Sequence, residues 1–331
     1  GFVVRFWNVG TIPPGLNRDE ASIGYTAYSL LSTGKDEYGK FLPLSIKSFG
    51  DWKLPFYIYL DILPIHFFSL SELSVRLPSL IAGTLTIPFV YLIVSELFRD
   101  KKNAKLLSLL SALLFTLSPW GIHFSRVASE ANISVFFISF ALFLFLKGLK
   151  SPLFLFFSAL FFALTLYTYH GNHVFTPIFV FGLLIILIQR GVKRKALLLF
   201  LLPFLLVSFV IYKETLFSAD KTKISGLTPF FDTYIIYDKI TLPRLDHSFP
   251  QSIITRVMHN KVTFFVERFI EGYIRSFSSE FLFIKGGGNL QHNIPNFGNL
   301  YMWEIPFLIF GIYFLFKKQM KWRFFLLFWL L

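Results

Sequence analysis

The sequence predicts an all-α integral membrane protein that crosses the bilayer several times, and three observations carry that reading. Of its 331 residues 54% are hydrophobic and 15% charged, with 45 Phe and a mean hydropathy of +0.61; so little charge cannot cover the surface of a soluble fold. Apolar runs of helical length recur along the chain. The formal charge of +13 is gathered in short basic clusters between those runs, a pattern that orients membrane helices rather than one that grips nucleic acid, so no nucleic-acid partner is read from it. Cysteine is absent, which excludes disulfides and thiolate metal sites.

Gly1 to Trp7 reads as the outer end of a first helix, broken by Thr11-Ile12-Pro13-Pro14-Gly15. The chain starts without Met and stops inside the apolar run Phe324 to Leu331, so its first and last membrane elements are expected to be incomplete. Residues 21 to 32 place Ile23, Ala27, Leu30 and Leu31 at helical spacing, an amphipathic helix lying on the membrane. Lys35 to Trp52 is a polar and aromatic loop. Leu54 to Leu70 is apolar, short for a span, and carries Asp61, Pro64 and His66. Helices follow at Arg76 to Phe98, Leu106 to Leu117, Ile133 to Leu146, Leu153 to Tyr167, Phe175 to Ile188, Ala196 to Tyr212 and, after a long polar segment, Trp303 to Phe316. Tyr234 to Tyr237 and Phe264 to Tyr273 are expected to be helical or strand pieces against the membrane face. The Phe-rich runs 135 to 145 and 154 to 162 read as lipid-facing or packing surface, and no internal repeat is apparent. The chain thus divides into a membrane core, 1–212, with a first outer loop at 8–75; a polar segment, 213–302; and C-terminal membrane helices, 303–331.

Whether residues 54 to 70 cross decides the topology. If they lie in the interface, the basic connections 99–105, 147–150, 190–195 and 317–323 share one face, which the positive-inside rule makes cytoplasmic. The opposite face then collects 8–75, 118–132, 169–174 and 213–302, and with them every polar group that looks chemical.

Among these, Asp19 and Glu20 stand directly after Asn17-Arg18. Acids here suit the positive end of a helix dipole, and equally a carboxylate site held at the bilayer surface. Lys53 has the position of a snorkelling anchor, as does Arg5. Arg126 and Glu130, four apart at an outer helix start, would share a helical face and pair. His170 and His173 are spaced to present two imidazoles together; with Glu130 they leave room for a divalent cation, against the alternative of hydrogen-bonded structure or contacts to donor phosphate or sugar. Asp220, Lys221 and Lys223 open the polar segment. Lys285-Gly286-Gly287-Gly288 lacks the strand, helix and trailing Lys-Ser/Thr of a phosphate loop and reads as a flexible loop over the site, with Asn289 and His292 as sugar or acceptor contacts.

Several runs, in order, resemble a known family: NRDEASIGYTAYSLLSTGKDEYGKFLPLSIKSFGDWKLPFYIYL, SVRLPSLIAGTLTIPFVYLIVSELF, SPWGIHFSRVASEAN, YHGNHVFTP and, near the end, FLFIKGGGNLQHNIPNFGNLYMWEIPFLIFGIYF. They are similar to bacterial glycosyltransferase family 39, which stands with the protein mannosyltransferases and the aminoarabinose lipid A transferases of the GT-C fold. The resemblance implies a GT-C helical bundle with the active site on extracytoplasmic loops, a polyprenyl-phosphate sugar donor, and an acceptor that is protein, lipid or glycan. It implies Asp19 as general base, with Glu20 assisting, orienting the acceptor or helping to bind a cation. Lys53 and Arg126 are implied as donor-phosphate contacts and Glu130 as the acid of the second outer loop, where several relatives have Asp; metal use varies among such enzymes. A transporter would put its acids at mid-membrane, and a flippase or scaffold subunit of cell-envelope glycan assembly would not need Asp19.

Overall fold

The computed structural model describes residues 1–49, 51–217, 237–246, 252–289, 292–317 and 322–330. These residues form a helical membrane fold with a small hairpin in its first loop. A short helix α1 (Phe2–Phe6) leads through the Pro-rich break to α2 (Arg18–Thr33), which Asn17 caps by accepting the Asp19 and Glu20 amides. The helix ends at Gly34, whose φ of 71° is left-handed and favours glycine. The predicted loop 35–52 contains structure that its pattern did not announce: β1 (Ile46–Ser48) pairs antiparallel with β2 (Asp51–Lys53), each too short to display an alternation.

Helices α3 (Pro55–Phe68), α4 (Glu72–Leu97) and α5 (Ala104–Leu117) follow, then α6 (Pro119–Ser125), a short helix inside the predicted second loop. Next come α7 (Glu130–Gly148), α8 (Leu153–Thr165), α9 (Asn172–Gln189) and α10 (Arg194–Phe217). Four of these, α4, α7, α9 and α10, are long and apolar enough to cross a membrane; α5 and α6, bent by 58° at their junction, make a fifth if taken as one span. The later described helices are α11 (Ile253–Met258), α12 (Lys261–Ser276), α13 (Ile305–Lys317) and α14 (Arg323–Leu330). The expected helical piece 264–273 falls within α12. Of the expected piece 234–237, all but Tyr237 lies outside the described residues, as does the charged trio Asp220, Lys221 and Lys223.

Two apolar clusters hold the bundle. The larger joins α7, α8, α9 and α10 around the fully buried rings of Phe145, Phe162, Phe179 and Phe200, with Phe145 against Phe200 at 5.5 Å and Phe162 against Phe179 at 5.8 Å. The smaller packs Ile23 and Ala27 of α2 on Tyr57, Ile58 and Ile65 of α3 and Val75 of α4. The Phe-rich stretches do both predicted jobs: Phe145 is enclosed while Phe154 and Phe157 are exposed.

The two ends of the bundle differ. At one end Glu96 of α4 gathers Arg99, Lys147 and Lys150 (3.8 Å for Arg99, 3.4 Å for Lys150), and Arg190 lies 4.2 Å over the Trp322 ring. At the other, Lys53 immediately before α3 binds Asp19, and Arg76 in the second turn of α4 binds Glu20. Because Asp19 and Glu20 are neighbours, both flanks of α3 are pinned to one site, and at 14 residues the helix is short for a span, which favours the in-plane course expected from the charge pattern. Only α4 then separates the first loop from the 99–105 connection. In this cysteine-free chain, Lys47→Cys and Lys102→Cys should therefore label from opposite sides of intact cells with an impermeant maleimide; labelling from the same side would mean that α3 crosses.

Candidate functional site

The site grows from the start of α2. Asn17 and Glu20 close a reciprocal cap: the Asn17 side chain accepts from the Glu20 amide at 2.9 Å, and Glu20 Oε2 accepts from the Asn17 amide at 3.0 Å. Glu20 is 1% exposed. Its Oε1 also accepts from Arg76 Nε at 2.9 Å and from the Ala128 amide at 2.9 Å, and its Oε2 from Arg76 Nη2 at 3.2 Å. The fully buried Arg76 in turn donates through Nη1 to Val9 O and Pro13 O, each at 2.9 Å, and through Nη2 to Gly15 O. Gly24, one turn after Glu20, permits this approach, because a Cβ there would lie 2.6 Å from Val75 Cγ2. The helix-start reading of the acidic pair is thus met by the cap, and Glu20 is further spent on holding α2, α4 and the second loop together.

Asp19 is placed differently. Its side chain is 37% exposed, and Oδ1 accepts from Lys53 Nζ at 2.7 Å, with Lys53 itself 6% exposed. The hairpin β1–β2 delivers Lys53 to this point, and His170 Nε2 lies 3.0 Å from Trp52 O, so the third outer loop is tied to the residue beside it. The Phe56 amide donates to Tyr167 O at 3.1 Å, a second tie of the same kind. Starting at Phe56, one turn from Lys53, an apolar groove of about 320 Å³ runs between α3, α4 and α7, past Leu60, Leu63, Leu77, Ile81 and Phe136.

Arg126 does not pair with Glu130. It closes the end of α1, with Nη1 donating to Val4 O, Arg5 O and Trp7 O at 3.2, 2.9 and 2.8 Å and Nη2 to Ile12 O at 2.9 Å. Burial, and after it the nearby Arg76 charge, lower its pKa. Glu130 opens α7, which Ser129 caps. Arg5 is not a snorkelling anchor: its guanidinium is fully buried, donating to Ser125 Oγ at 3.1 Å and to the carbonyls of Phe115 and Thr116. His170 and His173 sit with ring centroids 5.8 Å apart, and His173 Nε2 lies 2.8 Å from Leu166 O. Among the described residues no three His, Cys, Asp or Glu side chains are grouped to hold a metal ion. His292 reaches the second loop rather than the first, its ring stacked at 6.2 Å on Phe124, while Asn289 O accepts the His292 amide at 3.0 Å.

Sequence reasoning passed over two residues. Arg76 was read only as the first residue of a span; an arginine inside an apolar helix was the available signal. Asp61, in the middle of α3, is fully buried with neither oxygen hydrogen-bonded, and burial pushes its pKa up from 3.8 to about 9.

With this geometry in view the comparisons take their meaning. Residues 54–212, from the start of α3 into α10, match the family model described as dolichyl-phosphate-mannose-protein mannosyltransferase. The match covers just under half of the chain. The mannosyltransferase-related stretch holds Lys53's neighbouring helix, Arg76, Arg126, Glu130 and both loop histidines, while Asp19 and Glu20 precede it. Two solved structures are similar to the chain: ArnT from Cupriavidus metallidurans in the apo state (13% identity over 74% of this chain and 46% of that one, TM-score 0.49), and the same protein bound to undecaprenyl phosphate (13%, 79% and 45%, TM-score 0.48). The chain thus spans just under half the length of these structures. No curated protein sequence matches it.

Two substitutions test these energetics. Arg76→Ala leaves the buried Glu20 carboxylate unpaired and should cost about 3–5 kcal/mol, whereas Lys53→Ala, which frees the partly exposed Asp19, should cost only about 1 kcal/mol; denaturation in detergent reads both. Folded Asp61 keeps its proton where the unfolded chain releases it, so stability should fall as pH rises from 3.8 to about 9. Asp61→Asn should accordingly be more stable than the parent at pH 8 and lose that advantage below the lower value, as thermal melts across the range would record.

Proposed function

We propose that the chain is an inverting membrane glycosyltransferase of GT-C type, moving a sugar from a polyprenyl-phosphate donor to an acceptor on the extracytoplasmic face. The observation that carries this reading is the Asp19–Lys53 pair at 2.7 Å, partly open to solvent on the Asp19 side, at the head of a wholly apolar groove. The match to the mannosyltransferase family model supports it, as do the four outer connections drawn to the end of the bundle opposite the basic clusters.

In this mechanism the donor's isoprenoid lies in the groove between α3, α4 and α7, reached laterally from the bilayer, and its phosphate comes to rest near Lys53. The ammonium then exchanges Asp19 for the phosphate, which offers more charge and more acceptor oxygens. Asp19, released, takes the proton of the acceptor hydroxyl as that oxygen attacks the anomeric carbon. The bond from that carbon to the phosphate oxygen breaks with inversion, and the polyprenyl phosphate leaves with its negative charge held by Lys53. Glu20 and Arg76 set the position of Asp19 from below without meeting substrate. Arg126, its guanidinium already engaged with four carbonyls, adds positive potential to the donor phosphate. Glu130, His170, His173, Asn289 and His292 contribute sugar or acceptor contacts from the other loops; Glu20, both of its oxygens taken by Arg76 and backbone amides, has no lone pair to offer a divalent cation.

A transporter would need its charged groups at mid-membrane; here Asp19–Lys53 and Glu20–Arg76 stand at one end of the bundle and Glu96 with its bases at the other. The test is sugar transfer from a polyprenyl-phosphate sugar in membranes carrying the chain. Asp19→Asn should reduce turnover by about 10²-fold or more while leaving the thermal melt near that of the parent, and Lys53→Ala should raise the donor KM. Undiminished transfer by Asp19→Asn would remove the base, and solute uptake by a parent that transfers no sugar would favour the transporter.

A further inference from the structure

Within the segment between α10 and α13 lies a cavity of about 340 Å³ that none of these roles uses. Its walls are the last turn of α12, the wide helical turn Glu280–Ile284, and the loops 285–288 and 294–296. The walls are knitted together: the Leu300 amide donates to Leu282 O at 2.7 Å, Asn299 Nδ2 to Phe281 O at 3.1 Å, and the Gly287 amide to Asn293 Oδ1 at 2.8 Å. These hydrogen bonds join the walls on either side of the glycine run.

The lining is polar and of mixed charge. Lys285 is already engaged with Glu280 at 2.6 Å, so these two nearly cancel. Arg275 is the charge left over: among the described residues its guanidinium makes no hydrogen bond or ion pair. Ser278 Oγ accepts the Phe281 amide at 3.2 Å and keeps its hydroxyl proton to donate, and Asn296 presents a side-chain amide. One uncommitted guanidinium flanked by a hydroxyl, an amide and backbone suits a ligand with many hydroxyls and one anionic group. A bare anion would leave the amide and hydroxyl unused, and an apolar ligand would strand the charges.

The pocket is also joined to the catalytic end. The Trp120 amide donates to Asn299 O at 3.4 Å, and His292 stacks on Phe124; both partners belong to α6, directly before Arg126. A molecule seated in the pocket is therefore held beside the second outer loop, on the side from which an acceptor would come.

We infer that this pocket is an acceptor subsite for an anionic saccharide, with Arg275 receiving the phosphate or carboxylate and Ser278 and Asn296 the hydroxyls. The inference rests on the glycosyl-transfer reading for the word acceptor, but binding can be measured without transfer. Glucose 6-phosphate is titrated into the whole chain in detergent and followed by ligand-observed NMR, with glucose and inorganic phosphate as comparisons. The parent and Asp19→Asn should bind the sugar phosphate alike and more tightly than either comparison. Arg275→Gln should weaken it about tenfold, Lys285→Gln less, and Arg268→Gln, whose parent side chain on α12 pairs with Glu271, not at all. No saturable binding, equal binding by Arg275→Gln, equal loss in Arg268→Gln, phosphate alone as good as the sugar phosphate, or loss in Asp19→Asn would each overturn the subsite. If binding follows the expected pattern while no variant or parent transfers sugar, the transferase reading fails and the anionic-saccharide site stands.

Discussion

The architecture of the outer end depends on one buried ion pair. Arg76 and Glu20 are both shut away from solvent, and removing two charges from water is expensive unless nearly every donor and acceptor is matched. Here they are matched by backbone from the Pro-rich break, by the α2 cap and by the Ala128 amide. That requirement for full satisfaction is what draws four stretches of chain to a single point. Asp19, one residue before Glu20, inherits its position from this arrangement and pairs there with Lys53.

The same constraint ties down α3. Both flanks of this helix are held by adjacent carboxylates, and its apolar character is used within the fold: one face packs on α2 while another lines the groove shared with α4 and α7. The buried Asp61 is consistent with that course, since an in-plane helix enclosed by α2 and α4 can shelter a neutral carboxyl that a lipid-facing one could not. Asp19–Lys53 and Glu20–Arg76 thus mark one end of the bundle, and the basic residues around Glu96 mark the other.

Much of this was legible in the residues. The apolar runs located α4, α5, α7, α8, α9, α10 and α13 to within a few residues, because burial in lipid or in a Phe-rich core leaves a continuous hydrophobic signal. The parity of the basic clusters argues for α3 in the interface, and its 14 residues are short for a span. What escaped was short or non-local: the three-residue strands β1 and β2 and the seven-residue α6 are too brief to show a period, and residues 281–282 are tied to 299–300 by hydrogen bonds between residues 18 apart. Arg126 illustrates a harder case. Its sequence neighbour at helical spacing, Glu130, invited a pair, yet carbonyls at the end of α1, more than a hundred residues away, claim it instead.

By itself the sequence determined that the chain is a multi-pass helical membrane protein, where its helices fall, which connections share a face, and that an acidic pair belongs to the outer one. These are properties of local hydrophobicity and charge, which each segment carries independently of the others. Only the tertiary structure decided how the two acids divide their work, with Glu20 enclosed by Arg76 and Asp19 left partly open beside Lys53. That division depends on which side chains from distant segments arrive to desolvate and neutralise each carboxylate, and adjacency in the chain contains no record of it.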